Sequence, residues 1–347
     1  MIQAEPPPLI SVILVCYNSS RWLPRCIQSL RAQTIFGQSE IILVDNASSD
    51  NSEDLARQLT AGWANAQTIQ TGRNLGFSAN NKGAEIARGK YLYLLNPDTW
   101  LEPDCLESFY EIVERDGAEG AGGMILEYDD NSLQAKGSSG FDIFGNPVSP
   151  PLKRDPNPLF CIAGFYFINR QFFLKLGMLD EKFFMYGEEM DLSWRIWLSG
   201  GRIIYVPTAK CHHRGAVAVN PEGGTKIVEN RTHPQKRFLA NRNFLLVIAK
   251  NCQHVLLLML LPCVALILAE GLATLLVTRR WSIAREASFR ALTEFWRMRP
   301  YVVEQRARIR KIRRRSDFWM LRFLRFGFGR SGELSKIFKL GFPKFNR

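Results

Sequence analysis

The sequence predicts an α/β fold, a Rossmann-like mixed sheet with doubly wound character, followed by a helical, membrane-associating C-terminal region. Three observations carry this. Short apolar runs alternate with helix-period segments through Leu95, each run breaks off in a polar cluster, and beyond residue 250 the pattern changes to one long apolar segment and a basic tail. Continuous apolar, β-branched runs are the pattern of strands buried on both faces of a parallel sheet. Their alternation with helices implies right-handed crossovers.

Leu9 to Tyr17 is the first such run and ends in Asn18-Ser19-Ser20. A helix is expected next, capped by Ser20, with Pro24 in its first turn and Leu23, Ile27 and Leu30 on one face. Ile41 to Val44 predicts a second strand, and the segment after Asn51 a second helix. A weak strand signal at Thr68 to Gln70 leads into the turn Gly72-Arg73-Asn74, Ala79 to Ala87 reads as helical, and Tyr91 to Leu95 as the next buried strand. Residues Gly117 to Pro158 are rich in Gly, Pro, Ser and Asp, so a short strand near Met124 and a long loop are expected. Phe160 to Ile168 is strand-like, Phe183 to Gly187 leads into an amphipathic helix over about Glu188 to Leu198, and Arg202 to Val206 predicts a further strand. The expected division is a catalytic domain over residues 1–250 and a membrane-associated region over 251–347.

With 46% hydrophobic residues in 347, the chain can bury a sizeable core. Its net charge of +12 is uneven: residues 279–347 hold 20 Lys/Arg against 5 Asp/Glu, leaving 25 against 28 in the rest. Seven scattered cysteines without a Cys-x-x-Cys pair point to reduced core thiols and a cytosolic setting, and residues 1–8 show no secretory pattern. Val255 to Thr278 is long enough to cross a bilayer, but Pro262 and Glu270 interrupt it, and a span would put the basic tail on the side opposite to the usual one. A membrane-embedded hairpin or interfacial helix pair is therefore expected, its basic tail on anionic headgroups at the cytoplasmic face of the inner membrane.

Ligands of such sheets bind beyond the carboxyl ends of the strands, where Asn18, Asp45 and Asp98 fall. Asp45 can accept a hydrogen bond from the ring N–H of uracil or thymine while Tyr17 stacks on that ring; alternatively Asp45 caps its own turn. Arg73, Asn74 and Gly76 form a turn that opens a helix, suited to phosphate or base edges. Asp98 can hold a divalent cation against a diphosphate, with Asn96 standing where a second acid would help. Glu188, Glu189 and Asp191 crowd the start of a helix after an aromatic run, where apolar surroundings raise a carboxyl's pKa and fit it as a general base, although Asp191 and Arg195 are also spaced for an ordinary ion pair. His212 and His213 could complete a metal shell.

The ordered set Ser11–Asn18, Val44–Asp50, Asn74–Asn81, Leu95–Asp98 and Met185–Leu192 resembles the family 2 glycosyltransferases of the GT-A fold, and within them the bacterial rhamnosyltransferase-like enzymes of cell-surface glycan synthesis. The resemblance implies inverting single displacement from a dTDP- or UDP-linked sugar, with rhamnose the leading donor. It also implies a divalent cation, Mg2+ or Mn2+, near Asp98, approached by one His of the pair. Glu189 stands where the family's base is usually an aspartate, with Asp191 as a supporting or acceptor contact and Glu188 behind them. Gly164 and Tyr186 are implied to line an acceptor pocket. A C-terminal membrane-associating region beginning near a pair like Arg242-Asn243 implies an acceptor carried on a lipid diphosphate. Two other readings compete: a catalytically inactive nucleotide-sugar binder, and a nucleic-acid binder using Arg306 to Arg315, where seven of ten residues are basic. Trp281, Phe295, Trp296 and the apolar segment beside that run favour headgroups over nucleic acid.

Overall fold

The computed structural model describes residues 6–149, 155–215, 231–327 and 329, with strand residues 344–345; much of the end of the basic tail lies outside them. In chain order the elements used below are β1 (Ile10–Cys16), α1 (Leu23–Arg31), β2 (Ser39–Asp45), α2 (Ser52–Leu59), β3 (Ala66–Gln70), α3 (Asn80–Ile86), β4 (Tyr91–Leu95), β5 (Thr99–Leu101), α4 (Cys105–Asp116), β6 (Gly120–Glu127) and β7 (Leu133–Ala135). They continue with β8 (Gly140–Phe141), β9 (Pro147–Val148), β10 (Tyr166–Asn169), α5 (Arg170–Lys175), α6 (Glu188–Leu198), β11 (Ile203–His213), α7 (Pro234–Asn251), α8 (Leu260–Thr278), α9 (Trp281–Ala284), α10 (Arg290–Arg297), α11 (Arg299–Ile312) and α12 (Asp317–Met320). The chain folds as two compact units: Met1–Gly137 with Asp155–Phe184 and Gly201–Gly215, and Ser138–Arg154 with Met185–Gly200 and Ala216–Arg347. Within the second unit Trp194 of α6 lies 5.0 Å from the Phe141 ring of β8, and Asp191 of α6 pairs with Lys250 of α7.

The first unit is a nine-stranded mixed sheet in the order β3-β2-β1-β4-β10-β6-β11-β5, with β7 paired to β6. Strands β1 to β4 are parallel, as the alternating pattern predicts, so their carboxyl ends share one edge. β10 enters antiparallel between β4 and β6. The core under this sheet is built from Val12, Leu14, Tyr93, Phe109 and Phe167, all without meaningful exposure. Helix α1 buries Leu23, Ile27 and Leu30, but Ser20 does not cap it. The Ser19 carbonyl accepts from Trp22 and Leu23, and Ser20 N instead donates to Asp50 Oδ2.

Two expectations are corrected in the middle of the chain. β6 is a long interior strand rather than a short one in a loop, because its glycines answer to packing: a Cβ on Gly123 would collide with the Ala209 carbonyl and come 2.9 Å from the Phe109 ring. β10 is only four residues, since Phe160–Phe165 is broken by left-handed Gly164 at φ 69°.

In the second unit, α6 is not amphipathic: every residue from Glu188 to Leu198 except Glu189 is buried. A charge buried in such a helix needs a partner, and Asp191 has two, Arg195 within α6 and Lys250 from α7. Part of the basic run serves the fold. Arg306 Nη1 donates to the carbonyls of Ala249 and Cys252, Arg313 to that of Asn251, and Arg315 to those of Trp197 and Gly200. These are cations at the carboxyl ends of α7 and α6, where helix carbonyls lack partners. Val255–Thr278 is helical throughout with mean hydropathy 2.5, long and apolar enough to cross a membrane, and 28% of its most apolar stretch is buried. Cys263, Ile267, Gly271 and Thr274 form its buried face, while Leu261, Leu268, Leu272 and Leu276 are exposed on the other side.

Candidate active site

At the carboxyl end of β2, Asp45 is 5% exposed. Its Oδ2 accepts from Ser48 N at 3.2 Å, the turn cap the sequence allowed, while its Oδ1 is buried with no partner. An unpartnered buried carboxylate oxygen is costly and suits an incoming N–H. Tyr17, at the end of β1, is 48% exposed and available to stack. Asn18 adopts a left-handed conformation at φ 49° and receives Ser49 N on its Oδ1 at 2.8 Å, tying the first two polar loops together.

The Arg73–Gly76 turn is organised by side-chain amides. Asn74 Oδ1 accepts from Asn46 Nδ2 at 3.1 Å and Gly76 N at 2.8 Å, so Asn74 shapes the turn, while Arg73 is exposed. Gly76 is left-handed at φ 64°, and a Cβ there would strike the Phe184 carbonyl, which accepts from Phe77 N at 2.7 Å.

Asp98 follows β4 and is not a helix cap, since β5 comes next. Asn96 contributes its carbonyl to Thr99 Oγ1 at 2.6 Å. Antiparallel pairing of β11 with β5 brings the two histidines to this end of the sheet, and strand alternation separates them. His212 is corrected as a metal ligand. It is 1% exposed, stacked on Trp100 at 3.5 Å, and bonded at Nδ1 to the Glu127 carbonyl (3.1 Å) and at Nε2 to Glu102 (2.9 Å). His213 Nε2 instead lies 3.5 Å from Asp98 Oδ2.

Gln134 of β7 explains why His213 suits a cation. Its amide nitrogen donates to Glu127 Oε2 and to the His213 carbonyl, both at 3.0 Å, which turns its oxygen toward His213 Nδ1 at 2.7 Å. Only a protonated Nδ1 can donate there, so in the neutral ring Nε2 carries the lone pair facing Asp98. A carboxylate and an imidazole nitrogen facing each other fit a divalent cation as donors. Among the described residues no group of three or more His, Cys, Asp and Glu could hold one.

In the second unit the acidic motif opens α6 behind Gly187, a left-handed N-cap at φ 88° with no capping side chain. Glu188 is buried, one of its oxygens lacks a partner, and burial followed by the neighbouring Glu189 pushes its carboxyl well up. Burial also raises Glu189, which keeps accessible surface. Asp191 behaves oppositely. Burial alone would raise it, but Arg195 (2.8 Å), Lys250 (3.0 Å) and Asn251 (2.9 Å) hold it at about 2. With 0% exposure Asp191 is corrected from acceptor contact to the centre of a buried ion cluster, the ion-pair alternative seen in its spacing. Tyr186 packs against Phe238, Leu239 and Ala291, and a Cβ on Gly164 would meet Ile125 Cδ1 in ordinary contact at 3.9 Å.

Sequence reasoning missed the roles of Gln134, Asn243 and Lys250, Asn243 having entered only with Arg242 as the mark of the C-terminal region. The first two are neutral amides whose role exists only through folded partners, and Lys250 sits in an apolar helix face where a lone cation was the available signal.

The nine-stranded mixed sheet and its helices have the GT-A fold. Residues 11–177 match the model of Glycosyl transferase family 2, and the chain carries a family 2 glycosyltransferase domain. It is 25% identical over 266 residues to the N-acetylglucosaminyl-diphospho-decaprenol L-rhamnosyltransferase of Mycobacterium tuberculosis (strain ATCC 25618 / H37Rv), covering 68% of this chain and 85% of that protein. It is 37% identical over 101 residues to the EpsH protein of Bacillus subtilis (strain 168), a match spanning 29% of each. Among solved structures, GalNAc-T7 with UDP, GalNAc and Mn2+ superimposes with a TM-score of 0.58 at 19% identity, over 73% of this chain and 49% of that one.

Proposed function

We propose that this protein transfers a sugar, rhamnose from dTDP-rhamnose in the first instance, from a nucleotide diphosphate to a hydroxyl of a lipid-linked glycan with inversion. The observation that carries the reading is Glu189: of the three acids that open α6 it is the most accessible, Glu188 being 6% and Asp191 0% exposed, and its carboxyl is raised by burial. A raised carboxyl takes a proton from an alcohol more readily at neutral pH. Asp45 receives the pyrimidine ring N–H on its unpartnered oxygen, and Tyr17 covers the ring. Asp98 and His213 would hold a divalent cation. When bound, that ion neutralises charge on the departing diphosphate. Asn18, Arg73, Asn74, Gly76 and Asn96 shape the donor side, and Gly164 and Tyr186 the acceptor side. The C-terminal region serves as the membrane-associated part, and residues up to about 250 as the catalytic part.

The rhamnosyltransferase relative, whose name specifies a diphospho-decaprenol substrate, supports a lipid-linked acceptor. The exposed leucine face of α8 supports a monotopic seat on the cytoplasmic face of a membrane, because its opposite face is packed on protein. Exposed Trp281 and Trp296 and exposed Arg279, Arg280 and Arg285 suit an anionic interface.

The test is a panel of nucleotide sugars read by thermal shift with and without manganese, followed by turnover of wild type and Glu189→Gln with the donor that binds. Donor binding should survive the substitution while turnover collapses. Unchanged turnover removes Glu189 from the chemistry, and absence of turnover with every donor in the wild type leaves the inactive binder.

A further inference from the structure

Asn243 of α7 has 0% exposure, and its side-chain nitrogen donates to two successive carbonyls, Met185 at 2.9 Å and Tyr186 at 2.6 Å. Its orientation is set by its neighbour in sequence: Arg242 donates to Asn243 Oδ1 through Nε at 2.9 Å and Nη2 at 2.7 Å. The oxygen therefore faces the guanidinium and the nitrogen faces the backbone.

The clamped backbone is strained. Tyr186 is left-handed at φ 69° and Gly187 follows at φ 88°. An aromatic L-residue holds that conformation only where its surroundings over-determine it. Directly after come Glu188 and Glu189, at a helix start with no capping side chain. The direction of that first turn is consequently set by the segment before it.

We propose that Asn243 is a positioning residue for Glu189: by pinning the Met185 and Tyr186 carbonyls it holds the left-handed entry to α6 and so aims the base. The proposal rests on Glu189 acting as the base. It also accounts for Arg242 and Asn243 as one device, with the arginine orienting the amide that orients the turn.

The test compares full-length wild type with Asn243→Ala, Asn243→Asp and Arg242→Lys, and with Glu189→Gln as reference. The readouts are kcat, donor KM, the pH profile and the thermal midpoint. Asn243→Ala should lower kcat about 10- to 100-fold, the scale of a misplaced catalytic group, with donor KM changed less than about twofold. Its acid limb should move to lower pH as the loosened carboxyl pair gains water. Asn243→Asp should be worse, since a carboxylate oxygen would face two carbonyl oxygens. Arg242→Lys, which keeps the charge but loses the fork, should show the same split more mildly and serves if the Asn243 variants do not fold.

Unchanged kcat in the folded variants, or a loss that tracks the thermal midpoint with the pH profile unmoved, overturns the proposal. If Glu189→Gln keeps turnover, the base assignment fails first. If Glu189→Gln abolishes turnover and Asn243→Ala does not, only the positioning role fails.

Discussion

Asp98 Oδ2 and His213 Nε2 face each other across 3.5 Å, while the adjacent His212 is stacked on Trp100 and bonded at both ring nitrogens. On the proposed function, these two neighbours in one strand have separate tasks. His213→Ala should raise the manganese concentration needed for half-maximal donor binding by at least about tenfold, in line with the loss of one ligand or its support. His212→Ala should leave that concentration nearly unchanged and lower the thermal midpoint instead. Titration of Mn2+ into each variant with nucleotide present distinguishes them.

Asp45 has an unpartnered carboxylate oxygen, which the proposed function assigns to the nucleotide base. Asp45→Asn can keep the Ser48 contact but places an amide of mixed polarity where an acceptor stood. UDP and dTDP affinity should fall by about 1.5–3 kcal/mol, the range for a hydrogen bond to a charged group. Calorimetric titration checks this, with the thermal midpoint as the control for folding.

Glu188 and Glu189 are both raised by burial, Glu188 further by its neighbour's charge. A base works deprotonated, so turnover should rise with pH through an acid limb whose midpoint lies above the ordinary glutamate value of about 4.3. The limb belongs to the pair rather than to one carboxyl. Glu188→Gln removes the second carboxyl and should leave a single limb, still above the ordinary glutamate value, in a pH series of kcat, because burial rather than Glu188 raises Glu189.

Asp191 is depressed to about 2 by Arg195, Lys250 and Asn251 against the effect of burial. For a carboxyl lowered on folding, the stabilisation is present above its unfolded value of about 3.9 and is lost as pH falls through the folded one. Asp191→Ala leaves two buried cations uncompensated and should cost about 3–5 kcal/mol in urea unfolding. A smaller loss at neutral pH would show that Arg195 and Lys250 find other partners.

Much of the fold was legible because it is written in local pattern. The runs at β1, β2 and β4 are mostly apolar, with Ser11 in β1 and Ser39, Glu40 and Asp45 at the ends of β2, and the helix over Glu188–Leu198 begins at its acids, so these elements follow from local pattern while the strand limits shift by one or two residues. The polar clusters after each run were legible for the same reason, since turns draw on Asp, Asn, Ser and Gly. β6 was not, because glycine looks the same whether it serves a turn or a strand against which another backbone packs. Nor was the use of Arg306, Arg313 and Arg315 at helix ends, because a basic run looks identical whether it meets lipid, phosphate or the chain's own carbonyls.

The sequence by itself determined the alternating α/β architecture, the parallel order of the first strands and the identity of the acids that could do chemistry. These depend on side-chain period and turn chemistry within a few residues. Only the tertiary structure decided which acid is usable, which histidine meets Asp98 and which amides hold them in place. Those outcomes depend on burial and on partners far along the chain: Asp191 is neutralised by Lys250, His213 is oriented by Gln134, and Glu189 alone on its helix is left open.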